Sequence, residues 1–328
     1  MLSLAHVTHP LSAPFRISRG VRTATEVVVA TIRRDGFSGR GESLPYARYG
    51  ESVASVIEEA STLAQAVAGG MDRRELLELL PPGAARNAID CALWDLESRQ
   101  RGLSVAAMLG QPEPLPPLVS AQTVSLDTPE RMERAARALS HLGLVKIKVD
   151  AGNPAAQIRA VRSALPDARL IVDPNESWTL ELLREMQPVL AEARIDLVEQ
   201  PLPAGQDDCL LGFASVARLC ADESCHTEDD LPRLAGTYDM INIKLDKAGG
   251  LTAACRLADA ARTQGFEIMV GCMVATSLSM APATMLAGRA VFIDLDGPLW
   301  LARDRDAALV CEHGRIFPPT PQLWGWSD

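Results

Sequence analysis

Five ionisable residues, each closing a short apolar segment, carry most of the chemistry open to this chain. They stand in Lys146-Ile147-Lys148, Asp173-Pro174-Asn175, Glu199-Gln200-Pro201, Asp222-Glu223-Ser224 and Asn242-Ile243-Lys244. Lys148, Asp173, Glu199, Asp222 and Lys244 are 25, 26, 23 and 22 residues apart, about one strand-plus-helix unit of a parallel barrel. Equivalent positions on successive strands face one site. Three neighbouring carboxylates repel one another unless a cation lies among them, and an oxygen-only donor set with open positions suits Mg²⁺. Lysine ordinarily titrates near about 10.4, too high for a base at neutral pH. A nearby Mg²⁺ and a second lysine lower that value. Two lysines on opposite sides of such a cation point to removal of a proton beside a carboxylate and its return to the other face. The enediolate between the two steps is stabilised by the metal far more than the ground state is.

Duller explanations exist for each residue alone. A single acid at a strand end is often a helix cap, and a single lysine there is usually solvated. Capping is a weaker account of three acids at equivalent ends of consecutive strands. Lys146 lies two residues before Lys148, so it faces the same way. Asp294-Leu295-Asp296 likewise puts two carboxylates on one face, too late in the chain to join the metal trio. They suit a cationic group of the substrate, or else cap the segment that follows.

These residues need strands to carry them. From Val119 onward, apolar segments alternate with helical ones: VSAQTVSL, LVKIKV, ARLIVD, IDLVEQ, RLCAD, DMINIKL, FEIMVG and VFIDLD. Helices are expected at 129–142, 153–165, 179–193, 207–218, 226–236, 250–264 and 276–288. Eight strands with seven intervening helices make an α/β chain with a βα barrel. Before it, Glu26–Arg34 reads as a strand, Asp35-Gly36 as a tight turn, and Phe37–Glu42 as the returning strand. Helices follow at 51–68 and 84–101. The proline-rich run Gln111–Pro117 marks a boundary. The expected domains are therefore an α+β part over 1–113, a barrel over 114–296, and a tail over 297–328 that packs back on the first part.

Composition narrows the class. The chain has 328 residues, 47% apolar and 23% charged, which is ordinary for a soluble domain pair. A formal charge of −10 and unclustered Lys and Arg argue against a nucleic-acid partner. No segment has the apolar length of a membrane span, and Met1–Phe15 lacks the basic start of a signal peptide. Seven cysteines without CxxC spacing fit a reducing cytoplasm and no zinc site.

In this order, the residues resemble the enolase superfamily and its muconate-lactonizing-type subgroup. Gly39-Arg40-Gly41-Glu42, Ala92-Leu93-Trp94-Asp95 and Met108-Leu109-Gly110 resemble its capping domain. Lys-Ile-Lys, ADES at 221–224 and NIKLDKAGG at 242–250 resemble its modified (β/α)7β TIM-type barrel. PYARYGES at 45–52, AARNAIDCALWDL at 84–96, DPNESW at 173–178, ADESCHT at 221–227, GCMVATS at 271–277 and DLDGPLWLA at 294–302 are similar to the proteobacterial dipeptide epimerases of the L-Ala-D/L-Glu type. That resemblance implies Lys148 and Lys244 as the acid/base pair and Asp173, Glu199 and Asp222 as Mg²⁺ ligands. It also implies Lys146 at the substrate carboxylate, Asp294 and Asp296 on the dipeptide's ammonium, and Thr123 as a substrate hydrogen-bonder. An arginine on a cap loop is implied for the glutamate side chain. Arg19, Arg22 and Arg48 are the candidates, with Arg19 preferred. The chain departs from many such epimerases at Ala275, where they carry Glu. A homo-oligomer is compatible with all of this.

Two other activities fit the same metal and lysines: an o-succinylbenzoate synthase and a cycloisomerase. Neither substrate has an ammonium to explain Asp294 and Asp296. A catalytically silent binding protein is a third alternative, disfavoured because all five core residues are present.

Overall fold

The computed structural model describes residues 1–325; Trp326, Ser327 and Asp328, the end of the expected tail, lie outside it. Eight parallel strands run in sequential order around one sheet: Gln122–Val124, Leu144–Lys148, Arg169–Asp173, Leu197–Glu199, Arg218–Ala221, Met240–Ile243, Glu267–Gly271 and Phe292–Asp294. They are called strands one to eight below. The first and last meet where the Ala121 N–H donates to the Ile293 carbonyl at 2.8 Å and the Leu295 N–H to Ser120 Oγ at 3.0 Å. All eight segments read as strands in the sequence pair as expected. Ala121, Leu144, Ile171, Leu197, Cys220, Met240, Met269 and Phe292 form a buried apolar cluster, one residue for each strand. That layer plugs the barrel and is the floor beneath everything polar above it.

The helices match less evenly. Pro129–Ala138, Pro154–Ala164, Leu180–Glu192, Leu251–Thr263 and Ser277–Thr284 lie where the pattern places them. The helix expected at 207–218 is only a single 3₁₀ turn, Asp207–Leu210. Asp207 turns inward and its carboxylate accepts from Ser224 Oγ (2.6 Å), Tyr238 Oη (2.8 Å) and Arg233 (2.7 Å). Gly212, at φ +72°, then takes the chain out of helical geometry. The region 226–236 is likewise a short 3₁₀ turn and one helical turn, Leu231–Leu234. The helix expected at 51–68 is split into Val53–Ser61 and Ala64–Ala68. Ser61 and Thr62 mark the break, and both hydroxyls donate back to carbonyls of the preceding turn.

In the N-terminal part, Gly20–Arg34 and Phe37–Ser43 form the expected antiparallel pair through the Asp35-Gly36 turn. The sequence reading missed a third strand, Leu2–Ile17, which pairs along Gly20–Arg34. It has no clean alternation of apolar and polar residues, and none of its residues is buried. Gly39 and Gly41 lie against the helix Ala84–Arg101. A Cβ on either would come within 2.2 Å of a helix carbonyl, of Ala92 or Ala88 respectively. Glycine there is a packing requirement. The end of the tail returns to this part, where Arg40 donates to the Gln322 and Leu323 carbonyls and Trp324 Nε1 to the Cys91 carbonyl, whereas Cys311–Glu312 and Arg315–Ile316 pair beside Leu118–Val119 at the start of the barrel. No helix among the described residues is long and apolar enough to cross a membrane.

Polar side chains bind the cap to the barrel. Glu42 accepts from the Thr276 N–H at 2.9 Å and pairs with Arg305. Arg86 donates to the Ala248 and Gly249 carbonyls. Asp246 Oδ1 accepts from the Leu44 N–H (3.0 Å) and Asn87 Nδ2 (2.8 Å). Burial pushes the Asp246 carboxyl up to about 7 against those hydrogen bonds. A raised acid pKa means the fold holds a proton that the unfolded chain releases. Its stabilising contribution is therefore full below about pH 4 and is lost as pH rises toward 7. Asn at this position keeps the one acceptor oxygen and cannot ionise. Asp246→Asn should raise Tm relative to wild type by a margin that is absent near pH 4 and grows to several degrees by pH 7.5. A constant margin across that range would show that Asp246 does not titrate as described.

Candidate active site

The site is the second layer of the barrel. Two residues beyond each floor residue, strands one to eight place Thr123, Lys146, Asp173, Glu199, Asp222, Asn242, Gly271 and Asp294 on the same interior face. One step further up stand Lys148, Lys244 and Asp296. The sequence-derived metal trio thus occupies adjacent strands three, four and five, and the two lysines flank it from strands two and six.

Distances confirm a single constellation. Lys148 Nζ is 2.5 Å from Asp173 Oδ2, and Lys244 Nζ is 2.5 Å from Asp222 Oδ2. Glu199 lies between, with Oε1 accepting from Asn242 Nδ2 at 2.9 Å. Lys146 Nζ reaches Glu199 Oε2 (2.6 Å), Asp294 Oδ2 (2.8 Å) and Asp173 Oδ2 (3.1 Å). In this structure Lys146 is therefore tied to three carboxylates. Asp173, Glu199 and Asp222 are all essentially buried.

Burial and neighbouring charge pull the site in opposite directions. Burial raises Asp173, but Lys148 and Lys146 outweigh it and hold the carboxyl near 2. Burial is likewise overcome at Asp222 by Lys244 and Lys247, which keep it well below the usual range. Glu199 is pushed up to about 7 by burial and then by Asp173. Burial disfavours charge on Lys244, yet Asp222 and Glu199 outweigh it and raise this lysine well above its ordinary value. The sequence argument expected a lowered lysine. The direction differs because Asp222 and Glu199 face the ammonium and outweigh both burial and Lys146.

The donor set fits a hard divalent cation. Three carboxylates from adjacent strands offer only oxygen, and Glu199 Oε2 is buried without a directed hydrogen bond. Among the described residues, no three acids, histidines or cysteines are already drawn together as a closed metal cage. The lysine ammoniums take up the facing oxygens instead.

A cavity of about 240 Å³ opens above the ring. Its walls include Thr123, both lysines, Asp222, Asp294 and Asp296, and its roof is Phe15, Ile17 and Val21 from the cap. Asp296 Oδ2 accepts from the Thr123 N–H at 2.7 Å, and burial together with Asp294 pushes it up to about 6. Asp294 Oδ1 is buried with no hydrogen-bond partner. Thr123 thus bears on the site through its backbone at Asp296, as well as lining the cavity.

The cap arginines separate clearly. Arg19 donates to Glu223 Oε1 (2.7 Å), Glu176 Oε2 (2.9 Å) and the Asn175 carbonyl (2.9 Å). Arg48 makes a bidentate pair with Glu176 and does not line the cavity. Arg22 lines the cavity, lies 4.9 Å from the centre of the Tyr46 ring, and has no ion pair among the described residues. Ala275, the departure in the strand-seven motif, is fully buried.

Sequence reasoning missed Asn242, Glu223 and Lys247. Asn242 was legible, since it precedes Lys244 by two residues, as Lys146 precedes Lys148. Glu223 lines the cavity beside Asp222 and is pushed up to about 7 by burial and Asp222.

A capped βα barrel with this ring of carboxylates and lysines at its mouth defines the enolase superfamily as its class. The chain belongs to the mandelate racemase/muconate lactonizing enzyme family within it: the model of that family's N-terminal domain matches residues 2–110, and the enolase C-terminal domain-like model matches residues 130–325. It is 46% identical over 309 residues to the L-Ala-D/L-Glu epimerase of Escherichia coli K12, covering 94% of this chain and 96% of that one. It is 45% identical over 301 residues to the N-acetyl-D-glutamate racemase of a Pseudoalteromonas species, covering 91% and 95%. An enolase family member from Agrobacterium tumefaciens, with homology to dipeptide epimerases and with sodium and L-Ala-L-Glu bound, superposes with a TM-score of 0.96 at 47% identity over 99% of both chains. A dipeptide epimerase from Enterococcus faecalis, in complex with Mg and L-Leu-L-Tyr, superposes with a TM-score of 0.91 at 26% identity over 99% and 97%.

Proposed function

We propose that the chain epimerises dipeptides of the L-Ala-D/L-Glu type at the α-carbon of the second residue. The observation that carries this is the pairing of two lysines across one cavity with Asp294 Oδ1, a buried acceptor left without a partner. A free α-ammonium supplies that partner. Lys146 meets only the Oδ2 of Asp294, so the ammonium would offset the second of two adjacent buried carboxylates, Asp294 and Asp296.

Asp173, Glu199 and Asp222 would hold Mg²⁺, which when bound supplies the electrophile for the substrate carboxylate and offsets the negative charge that keeps a proton on Lys244. Lys148 removes or delivers the α-proton on one face and Lys244 on the other. Lys146, two residues below Lys148, bears on the same carboxylate. Asp294 and Asp296 fix the amine end. Arg19 is held by Glu223 and Glu176, so Arg22 is the guanidinium free to meet the substrate's side-chain carboxylate. The cap, residues 1–113 with the tail from 297, closes over the bound dipeptide and excludes water.

A second reading rests on the N-acetyl-D-glutamate racemase relative. An N-acyl glutamate keeps the α-proton and the side-chain carboxylate but has no ammonium. The test is to incubate L-Ala-L-Glu, N-acetyl-glutamate and an o-succinylbenzoate precursor with Mg²⁺ in D₂O and read mass and chirality. Ala-Glu should react best, and N-acetylating that dipeptide should raise KM and lower kcat. Asp296→Asn should do the same, because the anchor orients the α-carbon between the lysines. Arg22→Met should raise KM for Ala-Glu while sparing a dipeptide with an apolar second residue. Faster turnover of N-acetyl-glutamate or of the o-succinylbenzoate precursor would overturn the dipeptide assignment.

A further inference from the structure

Lys247 is a buried ammonium that the two-base scheme does not use. It is 2% exposed, on the short helix Leu245–Ala248 that follows strand six. Its Nζ lies 2.8 Å from Asp222 Oδ1 and donates to the Cys225 carbonyl (2.8 Å), the Asn242 carbonyl (3.0 Å) and the Asp222 carbonyl. Four oxygens therefore surround a group with three donors. Stability alone does not call for this arrangement, because a well-packed apolar side chain commonly serves a buried site as well as an ion pair does.

The contacts have a direction. Asp222 and the Cys225 carbonyl belong to the end of strand five and its loop, and Asn242 to strand six. Those strands carry Asp222 and Lys244. None of the contacts reaches strand two or three, where Lys148 and Asp173 pair. With Oδ1 and the backbone carbonyl of Asp222 both held by Lys247, only Oδ2 is turned toward Lys244 at 2.5 Å.

Resting on the two-lysine scheme above, we infer that Lys247 is a positioning residue for one half of the reaction. It fixes the rotation of Asp222, and through it the metal position and the aim of Lys244, while Lys148 is held independently by Asp173. Removing Lys247 frees the Asp222 carboxylate to rotate and leaves Oδ1 buried with no counter-charge. Removing a nearby ammonium would by itself strengthen cation binding by Coulomb's law, so the sign of the change separates positioning from simple charge repulsion.

The test uses the full-length chain stripped by chelation, with Mg²⁺ titrated by calorimetry, and α-deuterium exchange from each stereoisomer of Ala-Glu at saturating Mg²⁺. Lys247→Met should weaken Mg²⁺ binding roughly 10- to 100-fold, the usual cost of losing a partner behind a metal ligand. Exchange on the face served by Lys244 should fall at least about tenfold more than on the Lys148 face, with Lys247→Arg recovering part of both losses. The Lys244 face is identified as the isomer that still exchanges in Lys148→Ala. Lys247→Gln, which keeps amide donors for the carbonyls, gives the same comparison if the methionine variant does not fold. Tighter Mg²⁺ binding, equal losses on both faces, or failure of both variants to fold would overturn the inference. A wild-type protein that exchanges neither isomer would instead remove the two-lysine scheme itself.

Discussion

Lys148→Ala should abolish epimerisation from both directions yet leave α-deuterium exchange into one stereoisomer of Ala-Glu. Lys244→Ala should leave exchange into the other. Each inversion needs a proton taken on one face and another returned on the opposite face, so losing either lysine stops both directions. Exchange needs only one face. The two lysines have separate anchors, Lys148 on Asp173 and Lys244 on Asp222, with Glu199 between them. A positioned acid/base group contributes on the order of 10²- to 10⁴-fold, and the lost exchange in each variant should fall by that much. Retained exchange should stay within about tenfold of wild type, because the remaining lysine keeps its own carboxylate. Mass spectrometry of each pure isomer in D₂O decides the matter. Equal residual exchange of both isomers in both variants would remove the assignment of one lysine to each face.

The sequence exposed the site better than the scaffold around it. Lys148, Asp173, Glu199 and Asp222 were legible because a parallel barrel repeats its strand ends at a nearly constant interval, and all four fall within one residue of a strand's end. The period-two rule that placed Lys146 beside Lys148 applies equally to Asn242 and Lys244, so Asn242 was available to the same argument. Lys247 was not, because its role depends on a helical turn after strand six that brings it back onto Asp222. The helix expected at 207–218 failed for a related reason. Asp207 is held by Ser224, Tyr238 and Arg233, all distant in sequence, and those contacts override local helical preference. The N-terminal strand Leu2–Ile17 escaped because none of its residues is buried, which leaves no clear hydrophobic rhythm to read. Arg19 and Arg22 are three residues apart on one hairpin, and only their partners, Glu223 and Glu176 against the Tyr46 ring, distinguish them.

Asp222→Asn should remove both Mg²⁺ binding and turnover while the protein stays folded. Asp222 meets two buried ammoniums through different oxygens, Oδ2 to Lys244 and Oδ1 to Lys247, whereas Asp173 meets Lys148 and Lys146 through Oδ2 alone. An amide replaces one of those acceptors with a donor that must face a positive charge. The substitution therefore subtracts a full negative charge from an oxygen-only site and disturbs the aim of Lys244 at the same time. Mg²⁺ affinity should fall by more than the roughly 10- to 100-fold that the loss of an outer partner costs. Raising Mg²⁺ should restore occupancy before it restores rate, because Lys244 stays misdirected even when the cation is bound. A calorimetric titration set beside kcat at increasing Mg²⁺ separates the two effects. Wild-type Mg²⁺ affinity in Asp222→Asn, or full wild-type activity after exhaustive chelation, would show that the three carboxylates do not hold the cation. The buried ring would then be a network of ion pairs that stabilises the barrel, and the chemistry would have to lie with the lysines and the acid clamp alone.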